Sequence, residues 1–138
     1  MRDLPRQLTV EELTELFSAR TRLVELLAER EDPLGAARDV IAELPEEDRV
    51  AALAAHPRIG EPSPEQRGED PAILAELSYL NQVYEEKYGF RFVVFVNRRS
   101  RAELLPVLQE RLQRTREEEL ETGLEELVRI AEDRWRRG

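Results

Sequence analysis

Any acid–base chemistry that this chain performs near neutral pH centres on His56, the only histidine among its 138 residues. Histidine is the side chain whose unperturbed pKa, about 6.5, lies close to neutrality, and the chain has no cysteine that could offer a second such group. Pro57 disfavours a helical conformation at the residue before it, so the imidazole is expected just past a helix end. A histidine in that position can instead be only a favourable cap, its imidazolium facing the negative end of the helix dipole.

Polar side chains that can assist a histidine follow within ten residues, on a segment rich in proline and glycine. Glu65 can fix the tautomer of His56 and raise the basicity of its ring, and a His–Glu pair suffices for general acid–base catalysis. Gln66 can donate hydrogen bonds to a carbonyl or carboxylate of a ligand. Arginines that can bind an anion through two parallel hydrogen bonds are Arg58, Arg67, Arg98 and Arg134. The structural alternative places Glu65 and Gln66 on a solvated loop tip and makes Arg134 a cation favoured at a helix C-terminus.

The composition narrows the kinds of site and partner. The lack of cysteine removes disulfides, thiolate nucleophiles and cysteine-ligated zinc, and a single histidine rules out a His-rich metal site. A carboxylate-only magnesium or calcium site stays open without support, so we expect no metal. The net charge of −9 argues against nucleic acid. No run approaches the roughly 20 apolar residues of a membrane span, and the N-terminus lacks a signal-peptide pattern, so we expect a cytoplasmic protein with no membrane partner.

The chain length fits one domain over residues 1–138, and the many Leu, Ala, Glu and Arg residues favour helices. Apolar periodicity, caps and proline or glycine stops predict a first helical segment that starts after Thr9, has a break near Ser18 and ends at Asp32-Pro33. They predict further helices over residues 34–44, 46–55, 71–88, 101–111 and 115–137. Thr9 with Glu12, and Ser100 with Glu103, have the spacing of capping boxes. Residues 58–71, which contain three prolines, are expected to form a loop, or a loop with one short turn.

The segment from residue 71 to residue 96 supplies the clearest helix and the only β-prone stretch. The apolar stripe predicted to face the core consists of Ile73, Leu74, Leu77, Leu80, Val83 and Tyr84. Gly89 is placed to end this helix in a left-handed conformation. Residues 90–96 are aromatic and β-branched, but no second strand is evident to pair with them, so we predict a buried extended connector. The expected fold is all-α, a compact single-domain bundle of about six to seven helices with this one buried extended segment.

Several short motifs occur in order along the whole chain. They are Ala-His-Pro-Arg-Ile-Gly at 55–60, Glu-Gln at 65–66, Leu-Asn at 80–81 with Tyr84, Tyr-Gly-Phe-Arg-Phe-Val-Val at 88–94, and Leu-Glu-Glu-Leu-Val-Arg-Ile-Ala-Glu-Asp-Arg at 124–134. Together they resemble the 2-oxo-4-hydroxy-4-carboxy-5-ureidoimidazoline (OHCU) decarboxylases of the urate-to-allantoin pathway. Because several motifs recur in the same order, this resemblance is far more specific than the His-Pro dipeptide alone.

The resemblance implies an all-helical, usually homodimeric carboxy-lyase that needs no cofactor and acts on a small anionic substrate. Such an enzyme converts OHCU to (S)-allantoin by losing CO₂ and placing a proton on the carbon that carried the carboxylate. The resemblance makes His56 the acid–base residue and Glu65 its catalytic partner. It assigns substrate binding to Pro57, Gln66, Val94, Phe95, Val96 and Arg134, with the backbone of the extended stretch completing the pocket.

One part of the sequence departs from the family pattern. The family commonly has Ser-x-x-Glu-Gln, whereas this chain has Ser63 followed by one residue and then Glu65, so a role for Ser63 does not carry over. The shorter loop leaves room for Glu61 or Glu69 to take the carboxylate role. An alternative function is a non-catalytic helical interaction domain that retains the scaffold, which predicts a pKa of His56 close to that of a free side chain. Because His56 lies outside the apolar stripes, its replacement is expected to cost little stability.

Overall fold

The computed structural model of the protein describes residues 6–59 and 70–138. Within these ranges the chain forms seven helices and no strand. They are α1 (Val10–Phe17), α2 (Arg22–Leu27), α3 (Pro33–Glu43), α4 (Glu46–Ala54), α5 (Pro71–Tyr88), α6 (Arg101–Arg111) and α7 (Arg116–Arg137). The predicted all-α class is confirmed, and the break near Ser18 separates α1 from α2. In the described part of the chain, no helix combines the length and apolar character needed to cross a bilayer.

Local side-chain hydrogen bonds explain where the helices begin. Both predicted capping boxes are present, at the start of α1 and at the start of α6, and a third joins Thr115 to Glu118 at the start of α7. Each box satisfies two backbone N–H groups that have no partner inside the helix. Gly89 ends α5 with a φ of 82°, the left-handed conformation that glycine adopts without strain.

The core is built around α7, which packs against α1, α3 and α4, whereas α5 packs on α6. The buried apolar face of α7 consists of Leu120, Gly123, Leu124, Leu127, Val128, Ala131 and Trp135. Gly123 allows α4 to approach closely, since a Cβ there would lie 3.3 Å from Cδ2 of Leu53. Burial of each large apolar side chain contributes about 1.5–3 kcal/mol, so this face stabilises the arrangement that brings the end of α4 beside α7.

Residues 90–96 form the buried connector that the sequence predicts, with Phe90, Phe92, Val93 and Val94 buried. Arg111 donates to the carbonyl oxygen of Val93 at 2.8 Å. Hydrogen bonds from side chains therefore satisfy part of the connector backbone without a sheet.

The stripe predicted for α5 is only partly correct. Leu77 and Tyr84 are buried, whereas the other four predicted residues are only partly buried, and Asn81 and Tyr88 take their place in the core. The buried face has the spacing 77, 81, 84 and 88, a narrow seam. Asn81 is tolerated there because its amide donates to the carbonyl oxygens of Ile59 at 2.8 Å and Leu77 at 2.9 Å.

A buried ionic network joins α5, α6 and α7. One carboxylate oxygen of Glu119 accepts hydrogen bonds from Arg111 and from the hydroxyl of Tyr84, both at 2.7 Å, and the other accepts from Arg114 at 2.9 Å. The side chains of Glu119 and Arg111 are 0% and 7% exposed. The guanidinium of Arg111 also stacks over the ring of Phe92, 4.5 Å from its centroid. The network therefore ties three helices to the connector.

Candidate active site

His56 follows the last turn of α4, where the sequence predicts it, and its side chain is only 5% exposed. Its backbone N–H donates to the carbonyl oxygen of Leu53 at 3.2 Å. Arg91, on the connector, donates to the carbonyl oxygens of both Ala54 and His56. These contacts attach the end of α4 to the connector and hold the backbone of the histidine in place.

His56 lines a cleft of about 450 Å³ between the end of α4, the connector and the C-terminal half of α7. The predicted substrate-binding residues that line the same cleft are Pro57, Val94, Phe95, Val96 and Arg134. A volume of this size lies within the range of small-molecule sites. Residues far apart in the sequence therefore meet around a single space beside the imidazole.

The other predicted site residues lie outside the described residues. These are Glu65 and Gln66, together with Glu61, Ser63, Arg67 and Glu69. The assignment of a carboxylate partner to His56 stays a prediction from the sequence.

Hydrogen bonds also hold the wall formed by the connector. Arg99 donates to the carbonyl oxygens of Phe95 at 2.7 Å and Val96 at 3.1 Å, and the N–H of Phe95 donates to Glu126 at 3.3 Å. These bonds fix the backbone that faces the ligand space before any ligand arrives. A role of this backbone in binding substrate stays a prediction.

Ser18, which the sequence predicts only as a break between helices, lies close to the ring of His56. The hydroxyl oxygen of Ser18 is 3.5 Å from Nδ1 of His56, and it accepts a hydrogen bond from Arg134 at 2.8 Å. Arg134 also donates to the carbonyl oxygen of Leu16 at 2.9 Å, which caps the end of α1. Nε2 of His56 is buried and has no hydrogen-bond partner among the described residues. Arg134 thus connects the site to α1 through one terminal nitrogen, and sequence spacing gave no signal for that contact.

The cleft is cationic although the chain as a whole is acidic. Among its described lining residues are five arginines and a single carboxylate, Asp133, in a chain with a net charge of −9. Arg58 makes a two-point contact with Glu85 at 2.6 and 3.0 Å, and Arg137 contacts Asp133 at 2.8 Å. Arg98 and Arg134 have no carboxylate partner among the described residues. Positive charge therefore remains for an anionic ligand.

Of the arginines that the sequence offers for anion binding, Arg98 is the one that lines the cleft, is exposed, and has no hydrogen bond or ion pair within residues 6–59 and 70–138. It follows Asn97 in a tight turn closed by a hydrogen bond from Arg99 to Val96, and both central residues have positive φ, 48° and 66°. That geometry usually selects glycine at the second central position. The turn presents Arg98 at the edge of the cleft.

Burial lowers the pKa of His56 to about 4, and the positive charges of Arg134 and Arg91 act in the same direction. At pH 7 the imidazole of the empty site is therefore neutral and can accept a proton. The alternative function, a non-catalytic helical interaction domain, instead predicts an unperturbed pKa for His56. A negative charge bound beside these arginines would raise the pKa of His56.

This lowered pKa predicts a loss of stability in acid. As the pH falls, the unfolded chain binds the proton near pH 6.5 but the folded chain only near pH 4, so the folded state loses roughly 3 kcal/mol between these values. An NMR titration of the single histidine gives the folded-state pKa. Urea unfolding at about pH 7 and pH 4.5 should show a larger loss for the wild type than for His56→Gln. Equal losses, or a folded-state pKa at or above 6.5, would contradict the prediction.

Known proteins resemble this chain in sequence and in fold. A model of the OHCU decarboxylase family matches residues 2–136. The uric acid degradation bifunctional protein TTL of Arabidopsis thaliana is 31% identical over 102 residues, which cover 62% of this chain and 32% of that protein. The uric acid degradation bifunctional protein of Bacillus sp. (strain TB-90) is 40% identical over 55 residues, 40% of this chain and 11% of that protein. The chain thus spans about a third or less of the length of these curated relatives.

Two crystal structures share the fold. An OHCU decarboxylase crystallised in the presence of (S)-allantoin superimposes with a TM-score of 0.76 at 25% identity, over 89% of this chain and 94% of that one. An (S)-allantoin synthase superimposes with a TM-score of 0.71 at 23% identity, over 91% of this chain and 47% of that one. Since the family model matches nearly the whole chain, which folds as these structures do, the chain belongs to the OHCU decarboxylase family.

Proposed function

We propose that this chain converts OHCU to (S)-allantoin without a cofactor, and that His56 is the acid–base residue. The observation that supports this proposal best is a buried imidazole, neutral when the site is empty, in a cleft lined by five arginines. The substrate is an anion because of its carboxylate, and the cleft offers the charge that such a ligand needs in an acidic chain.

Binding of the substrate carboxylate would use the arginines that keep hydrogen-bond donors for it. Arg98 has all of its donors available among the described residues, and Arg134 uses only one terminal nitrogen for the end of α1. A carboxylate held by fixed donors in a partly dehydrated cleft is favourable for decarboxylation, since the enzyme must stabilise charge that moves from the carboxylate to the ring. Pro57 and residues 94–96 would form the walls against the ring, and Gln66 would donate to one of its polar groups.

The electrostatics of the cleft determine when His56 gains a proton and when it gives that proton to the substrate. Burial is the main cause of the low pKa of His56, and the charges of Arg134 and Arg91 add to it. The bound carboxylate offsets those two charges, so substrate binding raises the pKa of His56 and favours the imidazolium more than the empty site does. Breakage of the bond to the carboxyl carbon releases CO₂ and leaves the electron pair on the ring carbon. The imidazolium then gives its proton to that carbon, which yields allantoin and restores neutral His56. Glu65 would stabilise the imidazolium stage, with Glu61 and Glu69 as the alternative carboxylates.

The direct test supplies freshly generated OHCU and follows circular dichroism. We expect optically active (S)-allantoin to appear faster than in the same solution without protein, because a fixed proton donor adds the proton to one face of the carbon. A racemic product formed at the uncatalysed rate would refute the proposed function.

We also propose that the protein acts as a homodimer, as the sequence resemblance implies, and that it is located in the cytoplasm. Tyr79 on α5 is the large hydrophobic side chain that is most exposed in the described part of the chain, at 62%. Light scattering of the purified protein tests the dimer, and a mass of 16.1 kDa would contradict it.

A further inference from the structure

Ser18 has a backbone conformation that a serine adopts only at a cost. Its φ of 76° lies in the left-handed region, where it ends α1. Glycine is the residue that usually ends a helix in this way, because it has no Cβ to clash with the neighbouring carbonyl. Strained positions of this kind are concentrated at functional sites. A functional role of the Ser18 side chain would explain why a serine is present despite the backbone strain.

The hydroxyl of Ser18 lies between two groups of the cleft. Arg134 can only donate, so in the 2.8 Å contact between them the oxygen of Ser18 accepts. The hydroxyl proton of Ser18 is then available, and Nδ1 of His56, at 3.5 Å, is the one further polar side-chain atom within reach among the described residues. Such a separation is long, but hydrogen bonds in empty active sites commonly tighten only when the ligand is bound.

The positive charge of Arg134 determines which group donates in the hydrogen bond between Ser18 and Nδ1 of His56. A proton on Nδ1 would point toward the guanidinium of Arg134, whereas a lone pair there can accept from the hydroxyl that Arg134 polarises. In the neutral ring the proton then resides on Nε2, which is buried and has no partner among the described residues, in a side chain that lines the cleft. When the ring is protonated, the hydroxyl can rotate and accept from Nδ1, because a serine oxygen has two acceptor sites. After Nε2 has given its proton to the substrate, the remaining ring proton is on Nδ1 and donates to the hydroxyl. Proton exchange with water then returns the ring to the tautomer that has its proton on Nε2.

We propose that Ser18 is a positioning residue, which holds His56 through Nδ1 in both protonation states and so leaves Nε2 to exchange the proton with the substrate. This inference rests on the proposed function for its effect on turnover, although the contact itself does not. It assigns to α1, which does not line the cleft, a role in orienting the catalytic ring.

The variant Ser18→Gly isolates the hydroxyl, because glycine suits the left-handed backbone and the fold should be retained. We expect kcat to fall about tenfold with KM changed less than about twofold, since a poorly oriented acid–base group loses part of its contribution of about 10²–10⁴-fold. The ¹⁵N signal of Nδ1, assigned without ambiguity in a protein with one histidine, should move toward the position of a ring nitrogen without a hydrogen bond. The matched control is Ser78→Ala, which removes an exposed hydroxyl from α5.

The spectra are recorded with and without added (S)-allantoin. An Nδ1 signal that is the same in the wild type and Ser18→Gly under both conditions overturns the proposal, and so does a kcat within about twofold of the wild type. If the wild type itself fails to turn over OHCU, the proposed function fails, while the Nδ1 signal still decides whether Ser18 contacts His56.

Discussion

Replacement of His56 by asparagine is expected to lower kcat for OHCU by about 10²–10⁴-fold, the usual contribution of a positioned acid–base group. Apart from His56, the titratable side chains among the described residues of the cleft are arginines and one aspartate. None of these types ordinarily exchanges a proton near neutral pH, so none can replace His56 as the proton donor. KM should change much less, because the arginines proposed to bind the carboxylate remain. Steady-state kinetics by circular dichroism measure both constants.

The control for this variant must account for stability. The sequence predicted that loss of His56 would cost little stability. Because His56 is only 5% exposed, we expect its replacement to lower the free energy of unfolding by about 1–2 kcal/mol through lost packing. Val40→Ala in α3 is a suitable match, since it also removes buried volume and lies away from the cleft. If His56→Asn keeps the activity of Val40→Ala, His56 is not the acid–base residue.

The variant Glu119→Gln is expected to lower the free energy of unfolding by about 3 kcal/mol or more. Glutamine has nearly the same shape, but it removes the negative charge that compensates the buried guanidinium of Arg111, 2.7 Å away. Urea denaturation measures the loss. Turnover of the folded fraction should be retained, because neither Glu119 nor Arg111 lines the cleft.

The matched control, Glu125→Gln, makes the same change on the same helix. Glu125 pairs with Arg38 through two hydrogen bonds of 2.8 Å, but both side chains are well exposed, so its loss should cost less than about 1 kcal/mol. Equal costs for the two variants would show that burial does not set the strength of the Glu119 network. The double variant Arg111→Met/Glu119→Gln should recover part of the stability, because the unpaired buried charge is gone.

Local signals in the sequence were sufficient for most of the fold. Capping boxes at Thr9 and Ser100, the left-handed glycine at 89 and the unpaired β-prone stretch each depend on residues close together in the chain, so they could be predicted. The buried face of α5 was harder, because Asn81 is polar and enters the core only when Ile59 supplies an acceptor for its amide.

Residue chemistry alone named His56, Arg98 and Arg134 as candidates, but the resemblance was needed to predict that the connector completes their site. Periodicity places His56 at a helix end, but it does not reveal that residues near 94 and 134 close around it. Ser18 and Arg91 gave no signal, since their contacts to His56 span 38 and 35 residues of sequence. The low pKa of His56 was also beyond sequence reasoning, because burial is its largest cause.

Because the cleft is positive and the chain as a whole is negative, the rate at which an anion associates with the protein should depend on salt. At very low salt, an approaching anion interacts with the net charge of −9 before it reaches the arginines, and the encounter is disfavoured. At about 0.15 M salt, electrostatic interactions extend only about 8 Å, so the distant carboxylates are screened while the arginines beside the ligand are not. Ionic strength therefore determines which of the two opposing charges of this protein an anion encounters.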